Sequence, residues 1–257
     1  MTTSTTSNSI SMSISRPGRA ISQPWFVLIS RSVLFLVAQV LIALIVALAS
    51  KGAVTEAWKE SARWWTFMAF LANFASIYVL VRVFKAEGNR YVDRIRFSRE
   101  TWKTDLFWFF VSSFITLPIA ALPMNILGAA IFGDPMTPTL MMFRPLPGWA
   151  FALSFLFPLT IGFAELPTYF AYCMPRLEAQ LKNGWVAWLL ASCFLAAQHM
   201  FLPLILDGGF ILWRLLMYLP FALFVGLLIK LRPTLLPYAM IIHALADLSA
   251  VLVYLTI

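Results

Sequence analysis

Both histidines of this 257-residue chain lie in apolar runs: His199 in FLAAQHMF, and His243 in IIHALADL with Asp247 four residues on. A third apolar run, GFAELPTYFAY, carries Glu165 and, four residues later, Tyr169. A carboxylate beside an imidazole in a partly dry cavity can take a proton from water, and water so activated can attack a carbonyl carbon. The oxyanion that develops then needs donors, which His243 could supply, with Asp247 setting its tautomer or itself donating when protonated. Alternatively, two imidazoles and a carboxylate could hold one zinc ion and leave a fourth position for water. The residue types leave both routes open.

Such chemistry needs elements that bring the groups together, and composition says what those elements are. The chain is 61% hydrophobic and only 12% charged, about half the charged share of soluble domains. Seven hydrophobic stretches, at 25–50, 63–84, 106–132, 148–175, 185–206, 210–229 and 234–256, follow one another. Each is long enough for a helix crossing a hydrocarbon core of roughly 30 Å. Helix is the assignment because a lone strand in lipid leaves its backbone groups unpaired. The expected fold class is therefore all-α: a polytopic bundle of about seven transmembrane helices, in one domain over 25–257, with no room for a second soluble domain. Residues 1–24, rich in Ser and Thr, read as a disordered cytoplasmic tail. Ala47-Leu48-Ala49 resembles a signal-peptidase site, but the apolar core before it is too long and too far from Met1 for a leader.

The 19 Lys and Arg against 11 Asp and Glu do not point to nucleic acid, because the basic residues cluster between the hydrophobic runs. Arg82, Lys85, Arg90, Arg94, Arg96, Arg99 and Lys103 gather around one loop, which should face the cytoplasm. Alternation then puts the N-terminus inside, with Arg31 counted at the inner end of the first helix and Arg214 on the outer side. Within the basic loop, Tyr91, Ile95 and Trp102 are spaced so that part of it can lie on an anionic leaflet. We expect an integral multi-pass protein of a bacterial cytoplasmic membrane, with the bilayer as one partner and no nucleic acid. Cys173 and Cys193 form no metal or disulfide pattern and read as small buried hydrophobes.

An ionisable group at mid-membrane costs roughly 2.5–3.5 kcal/mol on insertion scales, so such residues face a bundle interior and a partner. From the helix rise of about 1.5 Å per residue, Glu165 lies about 18 Å deep, His199 about 21 Å, His243 about 14 Å and Asp247 about 20 Å. Three helices thus deliver them to one layer. Residues four apart share a helix face, so His243 and Asp247 can aim at one point, and the Tyr169 hydroxyl can support the Glu165 carboxylate.

These residues resemble the CPBP (ABI) intramembrane proteases, which include the type II CAAX prenyl endopeptidases. The family pattern is Glu-Glu-x-x-x-Arg, then Phe-x-x-x-His, then His-x-x-x-Asn or Asp, on successive helices. Here the last element is intact as His243 and Asp247, the second is present as Leu195 and His199, and the first is partial, with Ala164, Glu165 and Tyr169 at its three positions. The resemblance covers about residues 148–250, the first helices adding nothing specific to it. It implies an intramembrane endopeptidase in which Glu165 and His199 activate water while His243 and Asp247 stabilise the oxyanion. The substrate would be a membrane protein or peptide. Ala164 stands where the family has its water-activating acid, and Arg176 is too far along the helix to replace the missing Arg. A catalytically weakened relative acting as a scaffold or immunity-type binder is the second reading, and a proton-coupled transporter the third. Oligomeric state is not legible.

Overall fold

The computed structural model describes residues 23–256. The expected tail lies outside them except for Gln23 and Pro24, which already belong to the first helix. Among the described residues there is no strand. Seven segments are long and apolar enough to cross a membrane: Gln23–Ser50, Val54–Ala86, Trp102–Phe132, Gly148–Leu181, Gly184–Phe201, Gly208–Leu231 and Pro233–Leu255. Large apolar side chains such as Ile45, Leu48, Phe110 and Phe114 point outward, the reverse of a protein built for water. The chain is an integral, all-α, multi-pass membrane bundle.

The described residues form eleven α-helices, all but α5 within the spans: α1 (Gln23–Ser50), α2 (Val54–Ser61), α3 (Trp65–Ala86), α4 (Trp102–Phe132), α5 (Thr137–Met142), α6 (Gly148–Ser154), α7 (Leu156–Leu166), α8 (Met174–Leu181), α9 (Gly184–Gln198), α10 (Gly208–Leu231) and α11 (Leu236–Leu252). Side-chain caps set two starts. Asn183 accepts from the amides of Trp185 and Val186 to open α9, and Asp207 accepts from Phe210 to open α10. Gly133, with φ of 77°, closes α4 in the left-handed conformation.

The rod from Gly148 to Leu181 is central: half of its most apolar window is buried, against 11% for α4, which is peripheral. α7 packs against α3 on one side and α11 on the other, while α9 lies between α8 and α10. Two glycines permit the closest approaches. A Cβ on Gly162 of α7 would sit 2.9 Å from the Met240 carbonyl oxygen of α11, and one on Gly226 of α10 would meet Ser192 Oγ at 2.6 Å. Gly162 is three residues from Glu165 and Met240 three from His243, so the tight α7–α11 contact lies within one helical turn of both.

Between α7 and α8 the chain widens into a π-helical turn over Pro167–Cys173. Pro167 has no amide hydrogen, so the Phe163 carbonyl loses its helical partner four residues on. The hydroxyl of Tyr91 donates to that carbonyl. Tyr91, expected to face the leaflet with Ile95 and Trp102, therefore turns inward and is buried, whereas Trp102 is exposed. Burial pushes the Tyr91 pKa up, so the hydroxyl remains a donor. Cys173 is buried, as expected, but Cys193 is only half-buried; both are free thiols.

Candidate functional site

Glu165 is the next-to-last residue of α7, immediately before the π-helical turn, and its side chain is 1% exposed. Its Oε1 lies 3.0 Å from His243 Nε2 on α11. Its Oε2 lies 3.8 Å from His199 Nε2 at the end of α9 and 3.5 Å from Arg31 Nη2 on α1. Asp247 Oδ2 is 3.5 Å from the same Nε2 of His243. Three rods thus bring an acid and two imidazoles around one point, and a fourth rod adds a guanidinium.

Each imidazole is held in a defined way. His199 Nδ1 is 2.9 Å from the Leu195 carbonyl oxygen. A carbonyl only accepts, so Nδ1 carries the hydrogen and, in the neutral ring, Nε2 turns a lone pair toward Glu165. The position where the resemblance has Phe thus acts here through its backbone. Tyr218 stacks on the His199 ring at 3.7 Å between centroids. Arg214 donates through Nε to the His199 carbonyl (3.1 Å), through Nη2 to the Leu202 carbonyl and through Nη1 to the Tyr218 hydroxyl (3.2 Å). His243 is the complement of His199. Its Nε2 faces two carboxylates, which calls for a hydrogen on that nitrogen, and Phe221 stacks on the ring at 5.5 Å. Asp247 approaches the same nitrogen as Glu165, so the two carboxylates together favour the tautomer with its hydrogen on Nε2.

Arg31 corrects the reading of the first helices. It is fully buried, not an interfacial charge, and donates to Gln198 Oε1 (2.7 Å), Ser76 Oγ (3.1 Å) and Asn73 Oδ1 (3.1 Å) as well as to Glu165. Asn73 in turn donates to Thr160 Oγ1 at 3.0 Å. Glu165 accordingly has a cation although the family-like position of Arg is Tyr169. Arg176 binds Glu87 instead. Tyr169 is a second correction. Its hydroxyl donates to Gln198 Oε1 at 3.1 Å and supports Glu165 only through Gln198 and Arg31. Sequence reasoning missed Arg31, Arg214 and Gln198. The two arginines sit inside apolar runs, so the rule that singled out Glu165 also applied to them.

The cluster is left with unmet polar atoms. Glu165 Oε1, His243 Nε2, Asp247 Oδ2 and Gln198 Nε2 are buried with no hydrogen-bond partner among the described residues. The 3.0 Å approach of Glu165 to His243 is an ion-pair distance off the hydrogen-bond direction, so each atom can still take another partner. Among the described residues, no group of three or more His, Cys, Asp or Glu side chains is arranged to hold a metal ion. The guanidinium beside Glu165 Oε2 would also repel a divalent cation there. The donor set therefore fits zinc poorly.

The fold and this cluster define an integral membrane helix bundle with two acids, two imidazoles and a guanidinium gathered in its interior. No protein-family model matches the chain, and no curated protein or solved structure matches it either.

Proposed function

We propose that the protein is an intramembrane endopeptidase of the CPBP type, acting on a membrane protein or peptide near the cytoplasmic leaflet. The observation that carries this reading is the division of labour around Glu165, which has a lone-pair imidazole on one oxygen and a donor imidazole on the other. Two acceptors 3.8 Å apart, Glu165 Oε2 and His199 Nε2, suit a water that donates to both. Glu165 takes the proton as that water attacks the peptide carbonyl, and later delivers it to the leaving amine. The Nε2 hydrogen of His243 stabilises the oxyanion, with Asp247 beside it. Arg31 holds Glu165 in place, supplying from α1 the cation that the family-like position lacks. Ala164 at the neighbouring position leaves Glu165 as the base.

The test uses the full chain in liposomes with a library of membrane-tethered peptides. Glu165→Gln should lose about 10²–10⁴-fold in turnover, the usual contribution of a positioned base, and His243→Ala about 10²–10³-fold, that of one oxyanion donor. Equal turnover by both variants and the wild type removes the catalytic assignment. Peptide capture without turnover by any of the three leaves the reading of a non-catalytic, scaffold-type relative.

A further inference from the structure

One polar group of the cluster has no role in the scheme above: the side-chain amide of Gln198, the last residue of α9, fully buried beside His199. Its orientation is fixed by its neighbours. Arg31 Nε can only donate, so the amide atom 2.7 Å from it must be the oxygen, and that same oxygen accepts from Tyr169 at 3.1 Å. The amide nitrogen is thereby turned away from both, and it has no partner among the described residues. An unpaired buried donor costs about 1–3 kcal/mol. In a bundle surrounded by lipid there is no bulk water to relieve it.

The place of this donor gives it a use. Gln198 and Glu165 are bound to one guanidinium, through Arg31 Nε and Nη2, and Gln198 is joined in the chain to His199. The shared guanidinium ties this amide to the Oε2 side of Glu165, whereas the other donor, His243, approaches Oε1. An oxyanion is held best by donors fixed before it forms.

We propose that the side-chain amide of Gln198 binds the carbonyl oxygen of the bond to be cleaved, as a second donor acting with His243 Nε2. This rests on the endopeptidase reading. The ligand class is the carbonyl of a peptide amide, and both amide hydrogens of Gln198 are uncommitted for it. Arg31 and Tyr169 act as positioning residues, since by holding Oε1 they stop the amide from flipping.

The experiment compares wild type with Gln198→Glu in liposomes, using a tethered peptide that the wild type cleaves, made once with an amide and once with a thioamide at the scissile bond. Glu keeps an acceptor for Arg31 and Tyr169 but cannot donate as an amide does. The expected result is a kcat lower by about 10²–10³-fold with little change in KM, the cost of one oxyanion donor. The expected discriminating sign is a penalty for the thioamide that is large in wild type and much smaller in the variant, because sulfur accepts a hydrogen bond poorly. Thermal unfolding of the variant close to that of wild type shows that the bundle is intact; Gln198→Asn, which retains the donor on a shorter arm, should recover part of the rate if the variant is unstable. An equal thioamide penalty in wild type and variant overturns the Gln198 assignment alone. Failure of the wild type to cleave any peptide of the library overturns the endopeptidase reading itself.

Discussion

Arg31 of α1 and Glu165 of α7 form an ion pair at 3.5 Å with side chains 0% and 1% exposed, across 134 residues of chain. A buried pair is not itself a large source of stability, but removing one partner strands the other charge. Arg31→Met should therefore destabilise the bundle by about 3–5 kcal/mol, read by thermal unfolding in detergent. The double variant Arg31→Met, Glu165→Gln should recover much of that loss. Additive losses would mean that the two side chains are not coupled.

The contact of α7 with α11 depends on Gly162. Its missing side chain admits the Met240 carbonyl oxygen to 2.9 Å of where a Cβ would be, and the obstacle is backbone, which cannot rotate away. Gly162→Ala should cost about 1–3 kcal/mol and move His243 away from Glu165, lowering turnover more than stability alone explains. Gly148, where a Cβ meets nothing within 4 Å, is the control, and Gly148→Ala should leave both measurements unchanged.

Tyr91 answers the carbonyl that Pro167 leaves without its helical partner. Tyr91→Phe should cost about 1–3 kcal/mol by leaving the Phe163 carbonyl unpaired in the interior. Hydrogen exchange should rise in the basic loop first, since the hydroxyl pins that loop to α7. Unchanged exchange there would rule out this anchoring.

The proposed general-base step uses Glu165 beside the Arg31 guanidinium and calls on no metal. Activity should survive prolonged treatment with 1,10-phenanthroline or EDTA. Loss on chelation followed by recovery on adding zinc would favour the zinc arrangement over the general-base one.

The basic loop and the α10–α11 turn meet at Asp105, a buried residue in the first turn of α4. Its Oδ1 accepts from Arg232 Nε at 2.5 Å and from Thr234 Oγ1 at 2.8 Å. Asp105→Asn should loosen the start of α11 and so lower turnover through His243, with substrate affinity little altered. A rate equal to wild type would show that this turn does not position α11.

What the sequence determined by itself is the medium, the fold class and the residues that are expensive in that medium. Seven apolar runs in lipid can only be helices, because the backbone must satisfy itself, and the observed spans fall on those runs with shifted ends. Glu165, His199, His243 and Asp247 stood out for the same reason: an ionisable group inside an apolar run needs a partner, and that need is visible in one dimension. Who the partner is was decided only by the tertiary structure. Arg31 reaches Glu165 because it stands on the buried face of α1, which packs against α3, α9 and the π-helical turn that follows Glu165. Tyr169 reaches Gln198 because the π-helical turn changes the angle between positions 165 and 169. Asp247 meets the near nitrogen of His243 because of how the rings and helices pack. Spacing along one helix fixes which residues share a face; the rotation of each helix against its neighbours, set by close contacts such as Gly162 against Met240, fixes what that face touches.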